Sequence, residues 1–215
     1  MKMAIKVALF VLVSLHAPVC SYSQEFTISA DKDNLFYKGI PNPISIACFK
    51  HPCKDMVLTT DNGTPQRSPY DSCSYTLMPD RLGDITLQLK LKNGKLIGIR
   101  RFWVIKIPEP VAELSGKNTG DIRAPVLRAQ IGVVAELKGF DFDAPFYVQS
   151  FSIIILRSNN TSLTMYNKGA VFTDETKGVL NKVRAGDKFI VASIKAKGPD
   201  GALRSLAPIE LNVVE

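Results

Sequence analysis

"DITLQLKLKNGKLIGIRRFWVIKI", residues 84–107, alternates apolar and polar side chains through its first half. Ile85, Leu87, Leu89 and Leu91 point one way; Thr86, Gln88 and Lys90 point the other. A period of two is that of a strand with one buried face. Asn93-Gly94 then supplies a hairpin turn, and a second strand runs back toward Ile107. A hairpin with one greasy face needs a second layer to cover it, so this stretch points to a small antiparallel sandwich.

Working outward, the same period recurs between turn residues. "FTISA" (26–30) is a short strand, "NPISIAC" (42–48) places Ile44, Ile46 and Cys48 on one face, and "CSYTLMP" (73–79) does so with Cys73, Tyr75 and Leu77. Beyond Ile107, Pro108 and Pro110 flank Glu109. Prolines that close together stop sheet pairing and stiffen a link, which sets a domain boundary there. "VLRAQIGVVAEL" (126–137) and "APFYVQSFSIIILRSNN" (144–160) read as strands. "DETKGVLNKVRAG" (174–186) allows a helical turn or two, with Asp174 as its cap and Gly186 as its stop. Residues 187–214 give a strand, a Pro-Asp-Gly turn and a last strand. The expected fold is all-β: two sandwiches in tandem, over 24–107 and 108–215, with at most one short helix, in the second.

The first 23 residues read differently. Lys2 and Lys6 precede an apolar run from Val7 to Leu15, and Ser21 and Ser23 supply a small-x-small end. These are the parts of a secretory signal, with cleavage expected after Ser23 and lipid attachment at Cys20 the weaker alternative. The apolar run is too short for a bilayer, which needs about 20 residues. No later stretch is long and apolar enough to span a membrane. The expected product is exported, and at most lipid-tethered; the periplasm is the compartment that the family resemblance described below implies, ahead of a lipid-anchored or secreted product. Losing Lys2 and Lys6 leaves 25 basic against 20 acidic residues, interspersed, with no stripe suited to nucleic acid.

Export bears on "CFKHPC" (48–53), which resembles a metal clip. Cys48, His51, Cys53 and Cys73 are the only set that could fill a four-ligand zinc site, and their spacing matches no paired C-x2-C pattern. Outside the cytosol a disulfide with one buried thiol is the expected outcome. Cys48 extends the inward row of Ile44 and Ile46, whereas Cys53 and Cys73 each sit in a turn before a strand. Cys53–Cys73 is therefore the favoured pair, with Cys48–Cys73 the alternative.

Catalytic chemistry is hard to assemble. His16 belongs to the signal, which leaves His51 as the one candidate base, and no nucleophile motif accompanies it. Asp141 and Asp143 in "FDFDAPF" fall on one side of a strand, where a carboxylate pair or a calcium ligand set could form; strand alternation with buried Phe140, Phe142 and Phe146 accounts for them as well. Trp103, beside Arg100 and Arg101, is expected in the core with the arginines in solvent. We expect no catalytic, cofactor or metal site. Candidate partner contacts are Asp141, Asp143, Asp200 and Arg204, on loops and turns.

Four stretches carry a family resemblance: "NLFYKGIPNPISI" (34–46), "FWVIKIPEPVAEL" (102–114), "AQIGVVAELKGFDFDAPFYVQSFSI" (129–153) and "IKAKGPDGALRSLAPI" (194–209). In that order they resemble the C-terminal periplasmic domains of the GldM (PorM) family of Bacteroidetes gliding motility and type IX secretion. The resemblance implies immunoglobulin-like sandwiches and a non-enzymatic role in binding envelope proteins, including secretion-ring components. It also implies a homodimer, since the family rod is dimeric. The expected signal stands where the family has a membrane helix. The competing expectation is a surface module binding a glycan or peptide through sandwich-end loops such as 60–72.

Overall fold

The computed structural model describes residues 25–215, so the expected signal segment and Cys20 lie outside the described residues. The first sandwich contains β1 (Phe26–Ala30), β2 (Phe36–Tyr37), β3 (Asn42–Cys48), β4 (Met56–Thr60), β5 (Gln66–Arg67), β6 (Ser74–Leu77), β7 (Gly83–Leu91) and β8 (Leu96–Ile105). They form two four-stranded sheets, ordered β1-β3-β6-β5 and β2-β8-β7-β4. All pairings are antiparallel except β2 with β8. Ile28, Ile44, Ile46, Tyr75 and Leu77 from one sheet meet Leu58, Ile85, Leu87 and Leu89 from the other. Each such side chain, fully buried, stabilises by about 1.5–3 kcal/mol.

The β7–β8 hairpin closes over Lys92–Lys95. Gly94 N–H donates to the Leu91 carbonyl (2.9 Å), and Leu91 N–H to the Lys95 carbonyl (2.8 Å). Gly94 takes φ 88°, and the register slips by one beyond Leu89. This is a turn with a left-handed glycine and a bulge, one of the standard three-residue hairpin connections.

The second sandwich contains β9 (Val111–Glu113), β10 (Thr119–Arg123), α1 (Ala124–Arg128), β11 (Val134–Glu136), β12 (Tyr147–Leu156), β13 (Ser162–Lys168), α2 (Asp174–Leu180), β14 (Lys188–Lys197), β15 (Leu203–Ser205) and β16 (Ile209–Val214). Its main sheet runs β10-β16-β14-β12-β13, with β15 paired to β14. The opposite layer is the β9–β11 ribbon together with the two helices. Leu114 just past β9, Leu127 of α1, Phe172 ahead of α2 and Leu180 at the end of α2 cover Phe151, Ile153, Phe189, Val191 and Leu211 of the sheet.

Four local expectations are corrected. In the second sandwich two short α-helices form, not one: Pro125 at the first turn of α1 fixes a helical φ and gives up a donor that a helix start leaves unpaired, so 124–128 is not strand. In α2 the cap is Thr173, whose hydroxyl accepts from Thr176 N–H, and Asp174 is the first helical residue. That helix stops at Leu180, before Gly186. "FDFDAPF" is irregular, and β12 starts only at Tyr147.

Candidate interaction surfaces

The cysteine cluster resolves into a bond. Cys53 and Cys73 are joined with Cα atoms 5.0 Å apart, and Cys48 is a free, half-buried thiol against the same core. With both sulfurs shared, the four-ligand zinc set is not available. Arg67 packs beside the staple, its guanidinium 4.9 Å from the Tyr75 ring centre. It donates to the carbonyls of Cys53 (2.9 Å), Ser72 (2.7 Å) and Met56. Sequence reasoning passed over Arg67, because the carbonyls it ties come from three separate turns and strands and leave no local pattern.

Asp200 and Arg204 do not form an open partner surface, and the expectation that they lie exposed is corrected. Their side chains are 9% and 8% exposed. Arg204 grips Asp200 with two parallel hydrogen bonds, Nη1 to Oδ1 at 2.9 Å and Nη2 to Oδ2 at 2.7 Å. Its guanidinium lies 4.8 Å from the Phe146 ring centre and reaches Glu109 at 3.4 Å. Arg204 holds the Asp200 carboxyl below the usual carboxylate range, against the opposing effect of burial. Gly198 leaves room for this arrangement, since a Cβ there would come within 2.5 Å of Arg204 Nη1 and 2.8 Å of the Phe146 ring. The charges are satisfied internally, so the turn offers little free charge to a partner.

Asp141 and Asp143 are exposed, but no strand sets them side by side. They ride on an irregular loop whose aromatic neighbours turn inward. Phe142 and Phe146 are buried together with Tyr37, Ile40 and Ile107 in a third cluster that spans both sandwiches. Tyr37 stands edge-on to Phe140 at 4.8 Å and to Phe142 at 5.0 Å. Burial and then the adjacent Asp33 carboxylate hold the Tyr37 phenol above its ordinary range.

Trp103 also departs from expectation. It is 54% exposed and pairs across the sheet with Asp84, while its neighbour Phe102 turns inward. The cause is register. Ile85, Leu87 and Leu89 face the core, so the residues opposite Asp84, Thr86 and Gln88 must face solvent. Those residues are Trp103, Arg101 and Ile99. The chain's single tryptophan thus lies on an open sheet face beside Arg101.

On the second sandwich, Val134, Glu136, Tyr147, Val148 and Ala170 line a groove of about 430 Å³ between β11 and the start of β12. Tyr147 is 63% exposed and Val134 54%. Among the described residues, no cluster of three or more His, Cys, Asp or Glu could hold a metal, and no helix is long and apolar enough to cross a membrane.

Comparison with known proteins adds one family. The family described as "GldM C-terminal domain" matches residues 108–214. No curated protein matches the chain. Among solved structures, the chain is similar to the fibronectin(III)-like modules of Clostridium thermocellum CbhA, at 12% identity over 87% of this chain and 93% of that one, with a TM-score of 0.28. It is similar to Bacteroides ovatus SGBP-B, of a mixed-linkage glucan utilization locus, at 16% identity over 76% and 51%, TM-score 0.29. Yersinia pseudotuberculosis InvD is similar at 13% identity over 88% and 57%, TM-score 0.28.

Proposed function

Because the chain belongs, through residues 108–214, to the GldM C-terminal domain family, we propose that it is a non-enzymatic periplasmic adaptor of an envelope assembly. Membership supports a component of the gliding and type IX secretion machinery; the adaptor role is our reading within that frame. Its partners would be envelope proteins, secretion-ring components among them, and a homodimer fits the same reading. The Cys53–Cys73 bond accords with an oxidising compartment.

The observation that carries the adaptor reading is the apolar groove on the family-matching half, flanked by exposed Val134 and Tyr147. Exposed apolar side chains gathered around a concavity suit protein contact better than solvent. The test is crosslinking in the native envelope with wild-type protein and with Tyr147→Asp, after both are shown to melt alike. Crosslinks to secretion-ring proteins that weaken in the variant would support the reading. A wild-type chain that crosslinks to no envelope protein would sink it.

A second reading rests on Trp103. An indole lying open on a sheet face beside Arg101, Asp84 and Thr86 is a stacking platform for a sugar ring, with hydrogen-bonding side chains at its margin. As the chain's one tryptophan, it reports its own occupancy. Saturable fluorescence change on titrating soluble polysaccharides, lost in Trp103→Ala, would favour a glycan-binding module; an unchanged spectrum across the panel would remove it.

A further inference from the structure

The two segments of the second sandwich that stood out in the sequence, Phe140–Phe146 and Gly198–Arg204, converge on one short stretch of the first sandwich, residues 32–40. Tyr37 packs edge-on against both Phe140 and Phe142, whose own rings lie 5.3 Å apart. The Lys32 ammonium lies 4.5 Å from the Phe142 ring centre and donates to the Asp141 carbonyl. Gly39 meets Asp200 so closely that a Cβ there would stand 2.7 Å from Asp200 Cα, and its φ of +76° also suits glycine. Arg204 spans from Asp200 to Glu109 in the connection between the sandwiches. Ile40 and Ile107, 1% and 2% exposed, fill the space between.

The gripped stretch is itself stiff. Asn42, 1% exposed, accepts from Tyr37 N–H at 2.8 Å and donates to the carbonyls of Tyr37 and Ile40, each at 2.8 Å. Lys38 N–H and Gly39 N–H are anchored on the carbonyls of Ile105 and Pro79. A stiff plug therefore enters a seat made of an aromatic pocket and an ion-paired turn. Tandem domains that share a small polar interface move freely relative to one another. This interface is apolar at its centre and fixed at both ends.

We infer that these segments form an interdomain latch, so that the two sandwiches move as one rigid body, and that Phe142, Asp200 and Arg204 are positioning residues for the joint. The inference is independent of the adaptor reading, since it concerns only how the chain holds itself.

Backbone amide relaxation on the chain from residue 24 to 215 tests it. The latch requires one rotational correlation time for both sandwiches. In Phe142→Ala, which removes a ring from a loop and leaves both sandwich cores intact, the two should separate and each fall toward roughly half. Distinct correlation times in the unsubstituted protein would overturn the inference outright, whether or not the variant folds. A folded Phe142→Ala that keeps a single time would overturn the role given to the aromatic seat.

Discussion

The two sandwiches solve the same closure problem by different chemistry. The first stacks sheet on sheet and ties its turns with a covalent bond, Cys53–Cys73. The second has no cysteine; its sheet is covered partly by short helices, and three polar knots fix its turns. Asn167, fully buried, accepts from Thr173 N–H and the Thr176 hydroxyl and donates to the carbonyls of Gly169 and Val171, which binds β13 to α2. Asp187 accepts from Arg157, Arg184 N–H and Ser158 N–H. Asp200 with Arg204 is the third. A covalent tie constrains the unfolded chain, whereas a buried polar knot adds stability only while every member is satisfied. The halves should therefore fail under different insults.

The sharpest break falls on the second sandwich. Arg204→Ala leaves Asp200 buried without its cation, and removing one partner of such a pair costs about 3–5 kcal/mol. Amide exchange resolved by residue should accelerate across β14–β16 while the β3–β6 ladder stays protected. Equal loss in both sandwiches would mean that the latch makes them a single cooperative unit.

Next comes the staple. Reduction, or Cys53→Ser with Cys73→Ser, opens a loop spanning 20 positions and should cost about 3 kcal/mol, felt in the first sandwich. Denaturant melts with and without reductant measure it. A second sandwich that loses as much as the first would remove the contrast.

Acid should act in the opposite direction. Asp200 is depressed chiefly by Arg204; burial pushes Asp187 up, but the hydrogen bonds from Arg184 N–H, Arg157 and Ser158 N–H outweigh it and leave that carboxyl depressed too. A depressed carboxylate adds stability above its unfolded value, near about 4, and withdraws it as pH falls toward the folded value. Between neutrality and pH about 5 the second sandwich should hold steady, then weaken below about 4. Residue-resolved exchange across that range reads it; equal loss at pH 6 would refute the assignment.

The smallest effect is at the α2 cap. Thr173→Ala removes the acceptor for Thr176 N–H and a neighbour of Thr176 Oγ1, 3.0 Å away, for about 1 kcal/mol. A thermal melt of the second sandwich should register it, and Thr173→Ser should restore most of the loss.

How far these features could be read in advance follows from how local their causes are. The alternation of residues 85–91 is local, and the structure buries Ile85, Leu87 and Leu89 as that alternation requires. The Trp103 face is legible only once strand register is known, because composition puts an indole inside and pairing with Asp84 puts it outside. The seam was least legible. Phe140, Asp141 and Phe142 alternate like a strand, yet their rings answer to Tyr37, about a hundred positions earlier, and nothing in either segment alone declares the other. Arg204 is similar: a turn residue by sequence, buried because Phe146 and Asp200 close over it.

One feature of the main sheet governs the order of assembly. β16, residues 209–214, lies inside the sheet, parallel to β10 on one side and antiparallel to β14 on the other. Until those six residues are available, β10 has no hydrogen-bonded neighbour in the sheet and the core face of Leu211 and Val213 is missing. The first sandwich needs nothing beyond Ile105 to complete its two sheets. As the chain is released, the leading half can finish while the trailing half stays an open chain. The trailing half closes only when β16 reaches its place between β10 and β14.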